Sequence, residues 1–477
     1  MPKIPFSAHQ TVPSTLVSHI GPSGKGCHEK TNEPFVDALY YEERFGAEIK
    51  IFYPLVPENK KYGDTLKIVS DKSGRLVEYK PGIGIETEDC SDLYEKAKDA
   101  DYALIVGAHH IKDPNFTDYV DRLIIENKLH VEVEFNGSDC NRNPIHPYLL
   151  GKADEIIVYP QPCAGRCGGR NLAYITQRTI NGKPSDYSMD AFEVDDKTEF
   201  KPVCHVCHEL PGAPWEEFLS PIKEKAIENK LIEGRMKIFT GTMRTGKTRH
   251  GLRWVSRGGK SNALYCKPSS DTREESGFSR IKISDRAPQD KFWISEEAFL
   301  FDPKDPLDFY YNENVQESRA ILIDEAQLID QRFATVLEAK RIGGGNDKTN
   351  HIAIAGIGAG IYNEIDMGRK NGEYFMNSMP FLLPDASSNE IRFVKCQHML
   401  SEEGFDLENY KNPGNCMNRG SRHVLIRNGS VQKNFMENIP AEEYIGEEKY
   451  RNVCIEHFPM MENKPEFLER PILTRRF

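Results

Sequence analysis

The feature that most constrains this fold is an internal repeat of sequence landmarks. Four landmarks recur in the same order: residues 20–30 with 239–251, 102–111 with 320–329, 130–163 with 351–396, and 200–210 with 449–458. The second pair reads "YALIVGAHHI" and "AILIDEAQLI". The period is far longer than that of a solenoid, so it predicts two whole domains of one fold.

Composition agrees with two domains and excludes several classes of protein. A chain of 477 residues is too long for one ordinary core. The net charge of −11 argues against a protein that works mainly on nucleic acid or an anionic membrane. No apolar run approaches the roughly 20 residues that span a bilayer, and the N-terminus lacks an apolar signal segment. Eleven cysteines then indicate free thiols and metal ligands in a cytoplasmic protein.

The join between the domains is predicted near "LPGAPWEEFLSPIKEKAIENKLIEG". This stretch is a Pro/Gly-rich loop followed by an amphipathic, charged helix. We therefore expect a first domain at residues 1–215, a linker at 216–234 and a second domain at 235–477. Residues 397–415 have no counterpart in the first half and are expected to form an exposed loop.

A phosphate-binding loop is predicted between a short apolar strand and a helical pattern in the second half. It comprises Gly241, Thr242, Met243, Arg244, Thr245, Gly246, Lys247 and Thr248. Glycines let backbone N–H groups point at phosphates, Lys247 can reach the β and γ phosphates, and the Thr248 hydroxyl can bind Mg²⁺. The matching residues 21–26 form a shorter loop in which Gly26 replaces the hydroxyl, so a structural turn is expected there.

A pair of carboxylates follows an apolar strand of the second half. Asp324 is placed to hold Mg²⁺ through water, and Glu325 to take a proton from an attacking hydroxyl. Val106 and Gly107 stand at these two positions in the first half and can do neither. The first half therefore lacks this chemistry.

Cysteine spacing predicts a zinc site in each half. Cys163-x-x-x-Cys167 and Cys204-x-x-Cys207 give four thiolates in two pairs. The second set is Cys396, Cys416, Cys454 and His457, with His398 as the rival of Cys416 for the fourth position. Four cysteines belong to neither set and are expected to be packing residues: Cys27, Cys90, Cys140 and Cys266.

Taken in order, these motifs resemble the type II thymidine kinases. The resemblance rests on GxxxxGKT, "YCKPSSDTREESGFSRIKISDR", "IDEAQ", "AGIGAGI" and "IGEEKYRNVCIEH". It runs through residues 236–458 and weakly through 20–210. It implies an α/β fold with two tandem RecA-like parallel-sheet domains. It also implies ATP on the phosphate loop and, in each domain, a small zinc-binding lobe.

The resemblance also implies roles for single residues. Glu325 would be the base that activates the nucleoside 5′-hydroxyl, and Lys247 and Arg273 would stabilise the transferring phosphoryl group. Thr248 and Asp324 would hold Mg²⁺, supported by Asp271 and Gln327. A lid that closes over the base would comprise Glu442, Glu443, Tyr444, Ile445 and Gly446, with Tyr450.

Two departures from the family concern the nucleoside pocket. Leu328 and Ile329 stand where aromatic residues are common, and Ile361 stands where the family has phenylalanine. Phosphoryl transfer is therefore implied more firmly than the base, for which thymidine or deoxyuridine is expected.

Two other function classes stay open. GxxxxGKT with "DEAQ" also occurs in helicase-like ATPases, which need a second working RecA domain and a basic strand-binding surface. A catalytically silent zinc scaffold would require both halves to be inert. We expect neither a membrane nor a nucleic-acid partner, and expect a homodimer whose four domains resemble a family tetramer.

Overall fold

The computed structural model describes most of the first half and the sheet of the second. The described residues are 15–23, 29–56, 65–70, 75–191, 197–242, 245–259, 263–270, 298–343, 350–357, 368–370, 373–375, 378–392, 394–395, 397, 419–420, 422–427, 430–431, 450–453, 475 and 477.

A six-stranded parallel sheet forms the core of the N-terminal half. The strands of this part are β1 Leu16–Ile20, β2 Ile49–Pro54, β3 Thr65–Ser70, β4 Arg75–Pro81, β5 Ile83–Ile85, β6 Tyr102–Ile105, β7 His130–Phe135 and β8 Glu155–Val158. The sheet order is β5-β2-β6-β7-β1-β8, and β3 and β4 form a separate antiparallel hairpin. The central strands are buried along their length, as expected of a parallel sheet covered on both faces.

A small antiparallel lobe follows this sheet. Its strands are β9 Gln161–Pro162, β10 Leu172–Ala173, β11 Ile175–Ile180, β12 Lys183–Pro184 and β13 Thr198–Val203. Strand β9 pairs with β10, and β11 pairs with both β12 and β13.

The C-terminal half repeats both parts. Its strands are β14 Met236–Gly241, β15 Ala263–Pro268, β16 Phe299–Phe301, β17 Ala320–Ile323, β18 His351–Ala355, β19 Gly368–Lys370, β20 Glu373–Phe375, β21 Ser388–Arg392, β22 Val394–Lys395, β23 Arg419–Gly420, β24 Arg422–Arg427, β25 Ser430–Val431 and β26 Tyr450–Val453. The parallel sheet has the order β16-β15-β17-β18-β14-β21, which matches the first sheet strand for strand. The small sheets β22-β23 and β25-β24-β26 likewise match β9-β10 and β12-β11-β13. The expected α/β class with two parallel sheets is therefore confirmed.

Helices cover the sheets and connect the halves. Those described are α1 Glu29–Phe45, α2 Asp92–Ala97, α3 Phe116–Ile125, α4 Pro147–Lys152, α5 Glu216–Glu228, α6 Lys247–Gly259, α7 Pro306–Tyr311, α8 Glu313–Glu317, α9 Phe333–Ile342 and α10 Met379–Asp385. Helix α5 is the charged helix predicted between the halves. Among the described helices, none has the length and apolar character needed to cross a membrane.

The two halves meet through equivalent elements. Helix α4 packs against α10, and the edge strand β8 lies beside the edge strand β21. One apolar cluster runs through both halves and includes Leu149, Trp215, Met236 and Leu382. The contact therefore resembles the isologous interface of a two-fold dimer, formed within one chain.

A buried charge network crosses this contact. Arg142 donates to both carboxylate oxygens of Glu338 in α9, at 3.1 and 3.2 Å, and to Asp385 in α10 at 2.6 Å. Arg475 also donates to Glu338, at 2.6 Å. All four side chains are at most 9% exposed.

The equivalent positions of the N-terminal half hold a different pair. Asp121 is the sixth residue of α3, as Glu338 is of α9, and Lys152 ends α4 as Asp385 ends α10. Lys152 and Asp121 form a buried ion pair with each other. The N-terminal half thus balances these charges internally, whereas Glu338 and Asp385 are both acidic and share Arg475 of their own half with Arg142 of the other half.

Candidate active site

The phosphate loop joins β14 to α6 with two glycines in left-handed conformations. Gly241 has a φ of 129°, and a Cβ there would lie 2.1 Å from the Arg392 carbonyl oxygen. Gly246 has a φ of 77°. Helix α6 begins at Lys247, so its N-terminal N–H groups face the loop and favour an anion. Met243 and Arg244 lie outside the described residues.

Polar side chains stabilise the described part of this loop. Thr245 Oγ1 donates to the Thr242 carbonyl at 2.9 Å. Lys247 Nζ donates to the same carbonyl at 2.8 Å. The lysine ammonium is therefore held within the loop, where a phosphate oxygen would compete for it.

The loop hydroxyl and the strand carboxylate are in contact. Thr248 Oγ1 lies 3.0 and 2.9 Å from the two carboxylate oxygens of Asp324. Only β18 separates β14 from β17, so the loop after one and the acids after the other share the carboxyl edge of the sheet. A hydroxyl and a carboxylate at this distance are suitable ligands for a hard cation such as Mg²⁺.

Glu325 has an unusual backbone conformation. Its φ is 53°, in the left-handed region that residues with a Cβ rarely adopt. It precedes the short 3₁₀ turn Ala326–Leu328. Gln327 Nε2 donates to Glu325 Oε2 at 2.5 Å, and Gln327 Oε1 accepts from the Ile357 N–H at 3.1 Å. Gln327 therefore connects the carboxylate to the end of β18.

Tyr265 is a site residue that the sequence analysis missed. Its hydroxyl donates to Asp324 Oδ2 at 3.0 Å from the neighbouring strand β15. Burial and the charge of Glu325 raise the pKa of Asp324 to about 6, although hydrogen bonds from Thr248 and Tyr265 lower it. A tyrosine inside an apolar strand was the available signal, because the hydroxyl of a buried tyrosine usually finds a partner.

The corresponding place in the N-terminal half carries different chemistry. Gly107 occupies the position of Glu325, with a φ of 70° and the 3₁₀ turn Ala108–His110 after it. Its N–H donates to the buried Glu134 at 2.7 Å. Glu132 and Glu134 of β7 stand at the positions of Ala353 and Ala355 of β18. No sequence motif indicated these buried acids, which disfavour an anion.

Two histidines are hydrogen-bonded to one of these acids. His19 Nε2 lies 2.8 Å from Glu132 Oε2, and His130 Nε2 lies 3.0 Å from Glu132 Oε1. Burial alone would raise the pKa of Glu132, but these hydrogen bonds lower it to about 2.

The four predicted cysteines of the first small lobe converge. The sulfur atoms of Cys163, Cys167, Cys204 and Cys207 all lie within 4.8 Å of one another, and all four residues are buried. Cys167 and Cys204 sulfurs are 3.9 Å apart, close to the roughly 3.8 Å edge of a tetrahedron with Zn–S bonds of about 2.3 Å. The group can therefore hold a metal ion.

Hydrogen bonds around the sulfur of Cys163 favour its thiolate. Cys163 Sγ accepts from the Gly165 and Cys204 N–H groups at 3.3 and 3.2 Å. Hydrogen bonds from the Cys204 and Cys207 thiols, and then these N–H groups, lower the pKa of Cys163. Asn171 Nδ2 lies 3.6 Å from Cys204 Sγ.

The second predicted ligand set lies outside the described residues, as do its alternatives. These residues are Cys396, Cys416, Cys454, His457 and His398. The backbone beside them is described. The Gln397 N–H donates to the Asn452 carbonyl at 2.8 Å, just as the Ala164 N–H donates to the Pro202 carbonyl at 2.9 Å in the first lobe. In sequence, Cys396 and Cys454 stand to this hydrogen bond as Cys163 and Cys204 stand to the one in the first lobe.

Other predicted site residues also lie outside the described residues. They are Asp271, Arg273, Ile361, Glu442, Glu443, Tyr444, Ile445 and Gly446. Tyr450 begins strand β26, but its side chain is not among those described. The described site thus brings together Lys247, Thr248, Asp324, Glu325 and Gln327.

The chain thus has two parallel sheets in an α/β fold, and one of them carries the predicted phosphate loop beside two acids. A stretch of 130 residues, 27% of the chain, is 33% identical to a thymidine kinase of Coprothermobacter proteolyticus and covers 63% of that protein. A match of 179 residues, 35% of the chain, is 24% identical to a thymidine kinase of Mycoplasmoides gallisepticum and covers 73% of it. No family model matches the chain.

Proposed function

We propose that the chain transfers the γ-phosphoryl group of ATP to the 5′-hydroxyl of a deoxynucleoside. Thymidine is the favoured substrate and deoxyuridine the second. The observation that carries the proposal is the contact of Thr248 with Asp324, with Glu325 held beside it by Gln327. The similarity to two proteins named thymidine kinase supports the substrate class.

Each described residue has a part in this reaction. Glu325 accepts the proton of the 5′-hydroxyl. The hydroxyl oxygen bonds to the γ-phosphorus, and the bond between that phosphorus and ADP breaks. Lys247 stabilises charge on the transferring group. Thr248 and Asp324 are the residues that would hold Mg²⁺, which neutralises phosphate charge when bound.

Residues outside the described part complete the proposed site. Arg273 would stabilise the phosphoryl group and Asp271 would support the metal centre. Ile361, residues 442–446 and Tyr450 would enclose the base. Because Leu328, Ile329 and Ile361 stand where the family has aromatic residues, the proposal also allows a base other than thymine.

We further propose a zinc ion in each half. The thiol geometry supports the first site, held by Cys163, Cys167, Cys204 and Cys207. The shared backbone contact at Gln397 supports the second. There Cys416 is the better fourth ligand, because it closely precedes β23 as Cys167 precedes β10.

The repeated strand order supports a tandem arrangement of one domain. In this arrangement residues 1–215 form a non-catalytic domain, 216–234 a linker and 235–477 the catalytic domain. We propose that two such chains associate as a homodimer of four domains in the cytoplasm.

A coupled assay of ADP release tests the function. Release that depends on thymidine is expected, and Glu325→Gln should lower turnover by roughly 10²–10⁴ while ATP binding survives. Near-normal turnover in that variant would mean that another group is the base.

The same assay separates the alternatives. Release that depends on DNA instead of thymidine would favour a helicase-like ATPase. No release with either would favour a zinc scaffold. The acidic net charge and the absence of a carboxylate at Val106 and Gly107 weigh against the first of these.

A further inference from the structure

The last residues before β14 connect the four-cysteine lobe to the other half. The side chain of Glu233 is 4% exposed. It accepts from His205 Nδ1 at 2.6 Å and from the His205 N–H at 3.1 Å. His205 stands between Cys204 and Cys207. The Glu233 N–H donates to Asn171 Oδ1 at 3.0 Å, and the same Asn171 contacts Cys204 Sγ.

Glu233 also binds a cation from the C-terminal half. Arg341 Nε of α9 lies 2.8 Å from Glu233 Oε1, and both side chains are almost fully buried. Arg341 also donates to the Gly234 and Asp385 carbonyls at 2.8 and 2.7 Å. Its guanidinium lies 5.2 Å from the ring centre of Tyr174 in the first lobe.

Apolar packing reinforces this polar connection. Ile342, the last residue of α9, belongs to the same apolar cluster as the four cysteines, with Val206 and Ala226. The end of α9 is therefore part of the core of the first lobe, although α9 belongs to the C-terminal half.

Helix α9 is also the element that follows the candidate acids. The chain runs from Asp324 and Glu325 through the turn Ala326–Leu328 into α9, and all of α9 is buried. Because α9 is closely packed on all sides, a shift of α9 would also shift the turn Ala326–Leu328.

We propose that the four-cysteine lobe of the N-terminal half is a positioning element for the acids of the C-terminal half. Metal in the lobe fixes Cys204, His205 and Cys207, His205 fixes Glu233, and Glu233 with Arg341 fixes the end of α9. Glu233 and Arg341 are positioning residues, since neither touches the candidate site. The inference rests on the proposed first zinc site and not on the kinase activity.

The test is hydrogen exchange of the full-length chain, measured by mass spectrometry beside metal analysis. Cys207→Ser removes one ligand of the first lobe only. It should raise exchange over residues 324–342 by about tenfold or more and spare α6. Glu233→Gln should raise exchange in the same segment while the metal stays bound. Arg166→Ala, which breaks two exposed ion pairs beside the cysteines, should change neither the exchange nor the metal content.

The combination of variants identifies the route. If the lobe acts through Glu233, then Cys207→Ser with Glu233→Gln should raise exchange no further than Cys207→Ser alone. Additive effects, or a rise spread evenly over the chain, would overturn the inference.

A chelator titration of the wild-type chain covers the case in which Cys207→Ser fails to fold. Exchange over residues 324–342 should rise as metal leaves the lobe. Metal loss with unchanged exchange would overturn this inference alone. A wild-type chain with no metal in the lobe would overturn the zinc site and the inference together.

Discussion

Gly107 and Glu325 occupy the same position in the two sheets and share a left-handed backbone, with φ of 70° and 53°. Gly107 follows β6 and Glu325 follows the equivalent strand β17, and each residue precedes a 3₁₀ turn. Glycine adopts this conformation freely, whereas a residue with a Cβ pays about 1–2 kcal/mol. The C-terminal half keeps a glutamate there despite that cost, which is typical of residues retained for function.

The first prediction follows from this strain. Glu325→Gly and Glu325→Ala should both be inactive, but the glycine variant should be more stable by about 1 kcal/mol. Chemical denaturation of both variants provides the measurement. Gly107→Ala is the matched control and should lose a similar amount, since a Cβ there meets nothing closer than 3.7 Å. Equal stability of the two Glu325 variants would contradict the strain.

The second prediction concerns Tyr265. Loss of its hydroxyl in Tyr265→Phe leaves Asp324 less well oriented, so half-maximal activity should require roughly 3–30 times more Mg²⁺. The KM for thymidine should stay unchanged. Tyr310→Phe removes another buried hydroxyl away from Asp324 and should leave the Mg²⁺ requirement unaltered. An unchanged requirement in both variants would show that Tyr265 plays no part in the site.

The third prediction is the metal content. Two sets of four ligands should give two zinc ions per chain by elemental analysis. Cys416→Ser should reduce this to one, whereas His398→Ala should leave two. One zinc or fewer in the wild-type chain would remove the second site.

The fourth prediction concerns the buried charges between the halves. Arg142→Met leaves the buried acids Glu338 and Asp385 to share Arg475. Two buried carboxylates then face one guanidinium, and this should lower the free energy of unfolding by about 3–5 kcal/mol. Arg122→Met removes a partly exposed pair with Glu126 and should cost less than about 1 kcal/mol. Similar losses in the two variants would mean that Arg142 does not hold the halves together.

The fifth prediction is a pH dependence. Burial lowers the pKa of Lys340 to about 8 from 10.5. Between these values the unfolded chain binds more protons than the folded one, so stability should rise with pH across this window. The gain over Lys340→Gln should be on the order of 3 kcal/mol by the upper end. Parallel stability curves for wild type and variant between pH 8 and 10.5 would refute it.

The sequence was sufficient for features that depend on local spacing. The place of the glycine-bounded loop between β14 and α6, the place of the acids after β17 and the convergence of the cysteines around Cys163 and Cys204 all follow from motifs with fixed spacing. The repeat predicted two equal sheets because the same strands recur in the same order.

Features that depend on tertiary neighbours could not be predicted in the same way. Tyr265 reaches Asp324 only because β15 pairs with β17. No local pattern distinguishes Glu132 from a surface residue. Its burial depends on α1, and its lowered pKa depends on hydrogen bonds with His19 and His130. The left-handed Glu325 did leave a signal, because the repeat aligns it with Gly107.

The charges at the ends of α4 and α10 determine whether one half could take the place of the other. A dimer of identical subunits displays each substitution on both sides of its axis, so both sides must tolerate it. In this chain Asp385 stands where the other half has Lys152, and its charge is balanced by Arg475 of its own half and by Arg142 across the contact. A C-terminal half without the N-terminal half would lose Arg142 and keep Arg475 beside its two buried acids. The two halves are in that sense not interchangeable.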